Sequence, residues 1–555
     1  MKYELSKKAA GISIAAAVAF SSIGLALNSP ATEVEGKKNE PANVIMMVKD
    51  GTSAGAITLA RWYKGEDLAM DKILVGGMHT NSAESAITDS APAGTAMATG
   101  NKTNDKVIGL LPKVVNTEGA EMIEPVEPED ALAPIANVLE GAELAGKSTG
   151  IISTSEIQHA TPAAFSAHAP ARSHYDDIAE QQVYQDIEVV LGGGRESLNT
   201  GNTRNARKDG ENLLEVIDGN GYDFVETKDE LLNSTSDKLW GSFAPSALAY
   251  DFDRQAAGNS EEPSIAEMTK KGIETLSKDE DGFFMFVEGS KVDWAAHAND
   301  PIGIISDVLA FDEAVKEALE FAEEDGNTMV IVVSDHGNSG ITMGNVNTSG
   351  TYSSIPVSAY IEPLKKAELT VEGALSKLKA DRSNMEEVAA LYGLDDLSGD
   401  ELKALKAAEN VAGLMSDLLS ERANLGFTTG GHTGEDVFLY AYGPSKPTGL
   451  VDNTDLAGNM AAHLGFNLAE VTEELFVNAE EAFEQKGFVT NIDDTDAENL
   501  VFVAEKGNLK IELPENKNVA NVTQNKKSYE KKLEGVTVFN GEAFFVSKKA
   551  LNMSK

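Results

Sequence analysis

Asp, Glu and His recur in this chain beside short apolar runs, and that placement is its first chemical signal. Asp50-Gly51 follows Val44–Val48. Glu288 follows Phe283–Val287, with Asp293 and His297 behind it in an E-x4-D-x3-H spacing. Asp335-His336 follows Met329–Val333, and His432, inside Gly430-Gly-His-Thr-Gly434, comes just before Val437–Tyr442. Open α/β sheets bind ligands at the carboxyl ends of their strands. Mixed carboxylate and imidazole ligands suit Zn²⁺, and carboxylates with water suit Mg²⁺. Singly, each piece has an ordinary reading: a turn at Asp50-Gly51, a loop hydrogen bond at Asp335-His336, an i,i+4 pair at Asp293 and His297. Their joint occurrence at four strand edges points to a metal centre.

Ser90 is the nucleophile candidate, within Thr88-Asp-Ser-Ala-Pro-Ala-Gly-Thr-Ala-Met-Ala-Thr-Gly100. Small residues from Ala91 onward favour a helix, and Pro92 suits its first turn. A serine at that helix start meets backbone N–H groups and the positive end of the helix dipole, which welcome phosphate. Serine is also a preferred N-cap, so the pattern alone leaves both readings open. No histidine lies near Ser90 in sequence to act as base, but a zinc ion can lower the hydroxyl pKa instead. A last segment runs from Gln158-His159 through Thr161 to Arg172. A guanidinium there could grip two phosphate oxygens; a lone arginine in an acidic protein could equally form a surface salt bridge. His79, His168, His174 and His463 carry no motif and read as structural or exposed.

The elements that must position these residues show in the alternation of apolar and helical stretches up to about residue 360. Helical periodicity covers Ala131–Ala145 and stops at Gly146, and a strand begins at Thr149–Ile152. Ser264-Ile-Ala-Glu267 is a capping box opening a further helix, and Ile302–Glu323 is helical again. The alternation predicts an α/β fold: a doubly wound, largely parallel sheet with helices on both faces. Residues 364–424, rich in Lys, Glu, Ala and Leu, read as a helical insert before the last core strand. From residue 488 short strands take over (Leu500–Val503, Leu509–Leu513, Val536–Phe539, Phe544–Val546). The expected division is a catalytic domain over 42–487 and a small β-rich appendix over 488–555.

Composition limits the setting. Against 46 Lys+Arg stand 89 Asp+Glu, a formal net charge of −43. Such a surface repels nucleic acid and anionic membranes, so no nucleic-acid partner is expected; solubility or adaptation to salt accounts for the charge. There is no cysteine, so any metal is held by His, Asp, Glu or hydroxyl oxygen. Lys2, Lys7 and Lys8 precede an uncharged run, Ala9–Leu27, with a small-x-small site at Gly24-Leu25-Ala26. Residues 1–27 read as an export signal or an uncleaved anchor, and 28–41, with two prolines, as a linker. The protein is expected in the periplasm, at the cell surface or secreted.

Together these segments resemble the alkaline phosphatase family from about Asn43 to Pro444, the helical insert set aside. The resemblance rests on Asp50-Gly, Thr88-Asp-Ser-Ala, Ala160-Thr-Pro-Ala with Arg172 downstream, Glu288-Gly-x3-Asp293-x3-His297, Asp335-His336 and Gly431-His-Thr-Gly434. It implies hydrolysis of phosphate monoesters through a phosphoserine, with two Zn²⁺ and one Mg²⁺. Asp293, His297 and His432 would hold one zinc; Asp50, Asp335 and His336 would hold the second, which activates Ser90. Asp50 would be shared with a third site completed by Thr161 and Glu288. Ser90 would attack phosphorus while Arg172 binds the phosphoryl oxygens. Inorganic phosphate would be product and inhibitor, and a homodimer is the family's usual assembly.

Three positions depart from the bacterial archetype. His159 stands where that enzyme has a third-site aspartate, so zinc or another divalent ion could replace Mg²⁺ there. Trp294 stands for a lysine, with packing beside Asp293 as its plain alternative, and Asn338 stands for a histidine. Competing readings are a phosphodiesterase or sulfatase of the related fold, or a non-catalytic protein storing metal or phosphate. Retention of Ser90, Arg172 and Glu288 disfavours the diesterase, and the absence of cysteine disfavours many sulfatases.

Overall fold

A computed structural model describes residues 42–116, 126–201, 203, 206–258 and 261–554. The expected signal and linker, 1–41, lie outside them. The main sheet has ten strands, in chain order β1 (Asn43–Lys49), β2 (Leu74–His79), β3 (Ser148–Glu156), β4 (Val189–Gly193), β5 (Asp223–Val225), β6 (Leu239–Ser242), β7 (Phe283–Gly289), β8 (Thr328–Val333), β9 (Val437–Tyr442) and β10 (Gly449–Asp452). Their spatial order is β10-β2-β9-β8-β1-β7-β3-β4-β6-β5. Every pairing is parallel except those of β9, which runs antiparallel to β2 and β8.

The central strands are continuous apolar runs because both faces are covered. Alternate side chains of β1 enter different cores: Ile45 and Met47 pack on one face, Val44, Met46 and Val48 on the other. The helices that bear on the site are α1 (Ala54–Lys64), α2 (Ser90–Thr99), α3 (Val138–Leu144), α4 (Ala160–Ala164), α5 (Ile265–Leu276), α6 (Lys291–His297) and α7 (Pro301–Asp325). The capping box opening α5 forms as expected, with the Ser264 hydroxyl accepting from Glu267 N–H. One expectation fails. Residues 131–137 are not helical, because Pro134 lacks an N–H and Asn137 caps α3 in a box with Glu140.

Between Leu364 and Arg422 lie short helices packed on the same core as α7. Their anchor is Asp300, the N-cap of α7, which accepts from the Tyr392 hydroxyl at 2.6 Å and from Val371 N–H at 3.1 Å. Farther on, β11 (Val489–Asp493), β12 (Val501–Lys506), β13 (Leu509–Pro514), β14 (Val519–Gln524) and β15 (Lys527–Lys532) form an antiparallel meander. It has its own core around Phe483, Phe502, Ile511 and Val522. Asn525 and Lys526 both take positive φ, the turn a tight hairpin requires. Of the expected strand Val536–Phe539 only Val538–Phe539 is extended in a ladder. Among the described residues no helix is long and apolar enough to cross a membrane.

His168 is the buried histidine among those without a motif. Nδ1 faces Gly109 O and Nε2 faces Glu140 Oε1, each at 2.8 Å, so both ring nitrogens need a proton. Burial pushes its pKa down, but Glu140 and the carbonyl outweigh burial and raise it above the ordinary 6.5. A histidine raised on folding adds stability that is complete below about 6.5 and lost as pH climbs through the raised value. His168→Gln should therefore lower stability by about 1–3 kcal/mol at pH 6, and the difference should shrink at higher pH. Thermal unfolding of both proteins across pH checks this; a gap that widens with pH would refute it.

Candidate metal and phosphate site

The four adjacent strands β8, β1, β7 and β3 end side by side, and their carboxyl ends deliver most of the site. Asp50 follows β1, Glu288 lies near the end of β7, and Asp335 and His336 follow β8. His159 caps α4 after β3, with Thr161 in its first turn. Asp293 and His297 share one face of α6, an ion pair of 3.4 Å. His432 enters from a short ladder paired with Asn338. It precedes β9, and because β9 is antiparallel its beginning lies at its neighbours' ends. Gly51 has to be glycine: its φ is +61°, and a Cβ would stand 2.3 Å from Asp293 Oδ1.

Three clusters result, each with ligand atoms mutually within 4.8 Å: Asp293 with His297 and His432; Asp50 with Asp335 and His336; Asp50 with His159 and Glu288. The imidazoles are oriented from behind. His297 Nδ1 faces Gly430 O at 2.9 Å, and His432 Nδ1 faces Thr88 O at 2.8 Å. Each Nδ1 thus carries the proton, and the bare Nε2 atoms meet 3.2 Å apart beside Asp293. Two lone pairs so close repel unless a proton or metal cation lies between them.

Deeper in, Asp50, Glu288, Asp335 and His336 are fully buried. Both Asp50 carboxyl oxygens, Glu288 Oε1 and Thr161 Oγ1 have no hydrogen-bond partner. Buried acceptors left bare cost stability, and a divalent cation satisfies them. This donor set fits such ions. Burial, then Asp335, Asp293 and Glu288, push the Asp50 carboxyl well up; burial pushes Glu288 up to about 7. Asp335 goes the other way: the His336 imidazole overcomes burial and holds it low. Burial lowers His336, but Asp335 at 3.2 Å dominates and raises it to about 9.

Ser90 is the first residue of α2, after the N-cap Asp89, and is buried. Its Oγ lies 3.3 Å from His336 Nε2. Arg172 reaches the same pocket, donating to Asp89 Oδ2 at 2.6 Å and to His159 Nε2 at 3.0 Å. His159 must be neutral to accept that bond; burial and then Arg172 lower its pKa to about 4. Of the two sequence readings of Arg172, the structure shows an ion pair, formed with Asp89 inside the site and not at the open surface. Trp294 packs edge-on against His159 and under Lys291 Nζ, 4.5 Å from its ring.

Several supporting roles were silent in the sequence. Asp89 fixes Arg172. Asn338 donates to Asp293 Oδ1 at 2.7 Å, so it steers a carboxylate from the place of the archetype's histidine. Ser153 donates to Glu288 Oε2 at 2.6 Å and contacts Ser155 and Ser290 at 2.8 Å. Only register reveals that trio: Ser153 stands opposite Glu288 in the β3–β7 ladder.

A sequence model of the family described as alkaline phosphatase matches residues 41–466. The chain belongs to the alkaline phosphatase family. Alkaline phosphatase 3 of Bacillus subtilis is 34% identical over 491 residues, covering 83% of this chain and 98% of that one. The crystal structure of Thermus thermophilus alkaline phosphatase superposes with a TM-score of 0.67 at 29% identity, over 78% of this chain and 93% of that one. An alkaline phosphatase from the Antarctic bacterium TAB5, solved as a histidine-to-aspartate mutant with Mg bound in the M3 site, gives 0.55 at 25% identity, over 77% and 99%. The chain is thus an alkaline phosphatase, with the hydrolysis of phosphate monoesters as its chemistry. The predicted α/β class is also correct: a mostly parallel sheet with helices on both faces and small antiparallel sheets near the C-terminus.

Proposed function

We propose that this alkaline phosphatase hydrolyses monoesters through a phosphoserine at Ser90, with two Zn²⁺ and a third divalent ion. The observation that carries this reading is the Ser90 hydroxyl 3.3 Å from His336, a member of one of three clusters, two of which share Asp50 and hold buried acceptors that lack partners. Asp293, His297 and His432 would hold one zinc, and Asp50, Asp335 and His336 the other. Asp50, Glu288, Thr161 and His159 would hold the third ion. Bound there, the cations supply Lewis acidity that favours the serine alkoxide and stabilises charge on the ester oxygens. Ser90 gives up its proton and attacks phosphorus from the start of α2, whose free N–H groups favour an anion; the ester P–O bond breaks, and the alcohol leaves with a proton. Arg172, held by Asp89 and His159, grips the phosphoryl oxygens and orients the group for displacement. Water then cleaves the Ser90–phosphate bond, returning the hydroxyl and releasing inorganic phosphate.

At the third site the neutral His159 imidazole favours a softer ion than a carboxylate would. The relative with aspartate replacing a histidine and Mg in its M3 site supports that reading. Peptide mass spectrometry after acid quench during turnover should find one phosphate on the Ser90 peptide; an unmodified peptide at full turnover would refute the covalent step. Arg172→Ala should weaken inhibition by inorganic phosphate about 10- to 100-fold, since a charge-assisted bond contributes about 1.5–3 kcal/mol. An unchanged inhibition constant would remove Arg172 from the phosphate's partners. Parallel assays with an aryl phosphate, its diester and its sulfate separate this reading from a diesterase or sulfatase.

The export signal over 1–27, the linker over 28–41, a catalytic domain over 42–487 and an appendix over 488–555 belong to the same proposal. So do an extracytoplasmic location, in the periplasm, at the cell surface or secreted, and a homodimer. Size-exclusion chromatography with light scattering tests the last, and N-terminal sequencing of the exported protein tests the signal.

A further inference from the structure

A groove of about 1120 Å³ opens from the phosphate end of the site. His159, Arg172 and Trp294 line one end of it; Leu500, Glu515 and Phe539, from the C-terminal segment, line the other. The distant wall is firmly attached. Asn516 accepts from Gln181 Nε2 at 2.9 Å and donates to Glu180 Oε2 at 3.2 Å, and Lys517 lies 3.0 Å from both Glu180 and Glu211. These bonds fix the loop after β13 against the helix Tyr175–Tyr184. A phosphoryl group at Ser90 and Arg172 is enclosed on the buried side, so the alcohol attached to it has to extend outward, and the groove begins at Arg172.

We propose that this groove is the subsite for the substrate's alcohol portion, that the C-terminal meander supplies its outer wall, and that it selects phosphomonoesters of cationic amino alcohols over esters carrying further negative groups. The inference rests on the reading of Ser90 and Arg172 as the phosphate end. Charge is its main support. Among the described residues the lining carries six carboxylates, including Asp176, Asp177, Glu498 and Glu515, against two permanent cations, Arg172 and Lys208. Arg172 is already committed to Asp89 and the phosphate. Burial, with Asp177 and Glu498 as like-charged neighbours, pushes the Glu515 carboxyl up to about 7, so the acids are close enough to feel one another. An ammonium group relieves that crowding, and a second carboxylate or phosphate adds to it. The aromatic lining, Trp294, Tyr175 and Phe539, also suits an alkylated ammonium better than a hydrated anion.

The test compares kcat/KM for phosphocholine and 3-phosphoglycerate on metal-loaded enzyme at low ionic strength. Wild type should favour phosphocholine by about tenfold or more, and the preference should fall as salt screens the groove. Glu498→Lys, at an exposed position, should cut the ratio about fivefold. Glu515→Gln keeps an oxygen to accept from Leu500 N–H and should cut it less. No preference in wild type, or a ratio both variants leave in place, overturns the subsite. Failure of wild type to hydrolyse p-nitrophenyl phosphate would instead sink the phosphatase reading beneath it, whereas hydrolysis without selectivity sinks the subsite alone.

Discussion

Replacing Ser90 with alanine is expected to leave the fold intact and lower turnover by about three to five orders of magnitude. The structural cost is small because Asp89, not Ser90, occupies the N-cap of α2, and alanine is the best helix former. The hydroxyl touches His336 at 3.3 Å and no backbone group, so its loss breaks no cap. What disappears is the atom proposed to bond phosphorus. Residual turnover would come from water attacking an ester that Arg172 and the cations still bind. The check is kcat with an aryl phosphate, alongside metal content and melting temperature. Turnover near the wild-type rate would end the covalent mechanism; lost metal would mean that Ser90 belongs to the ligand set first.

Asp50→Ala should have the second large effect, and its sign should depend on cations. Asp50 belongs to two of the three clusters, so the variant should lose at least one ion and about 10³-fold or more in kcat/KM, the several kcal/mol a Lewis acid contributes. Stability adds a second readout. Without cations Asp50 is a buried carboxyl whose folded pKa lies well above its ordinary value. Such a group costs stability above its unfolded value, and therefore at neutral pH. The chelated variant should thus melt no lower than chelated wild type. Loaded wild type should melt higher than the loaded variant, because ions that bind only the native state stabilise it. Elemental analysis with paired melting curves decides; a variant that retains every ion would remove Asp50 from the site.

The core strands were legible wherever apolar runs are unbroken, as at Phe283–Val287 and Met329–Val333, because burial on both faces leaves no polar alternation. β2, β4, β5, β6 and β10 went unread: they are short and glycine-interrupted or half-exposed, and only pairing with a neighbour makes them strands. β15, Lys-Ser-Tyr-Glu-Lys-Lys, is exposed throughout; its extended form comes from the β14 ladder and the turn at Asn525-Lys526, not from hydrophobicity. The helix expected over Ala131–Ala145 formed only from Val138 on, for a local reason: a proline and a stronger cap at Asn137 override periodicity before it.

The sequence by itself pointed to a metal centre. Carboxylates and imidazoles beside buried runs, with no cysteine, leave oxygen and nitrogen ligands, whereas Ser90 and Arg172 kept plain alternatives until the family's ordered motifs gave them phosphate roles. Those signals are local, carried by residue type and by spacing to the nearest strand. Tertiary structure alone decided the supports: Asp89 on Arg172, Asn338 on Asp293, Ser153 on Glu288, and the C-terminal wall of the groove. Their hydrogen bonds join residues 45 to 336 positions apart whose types are ordinary, and strand order and register, not local pattern, bring them within reach.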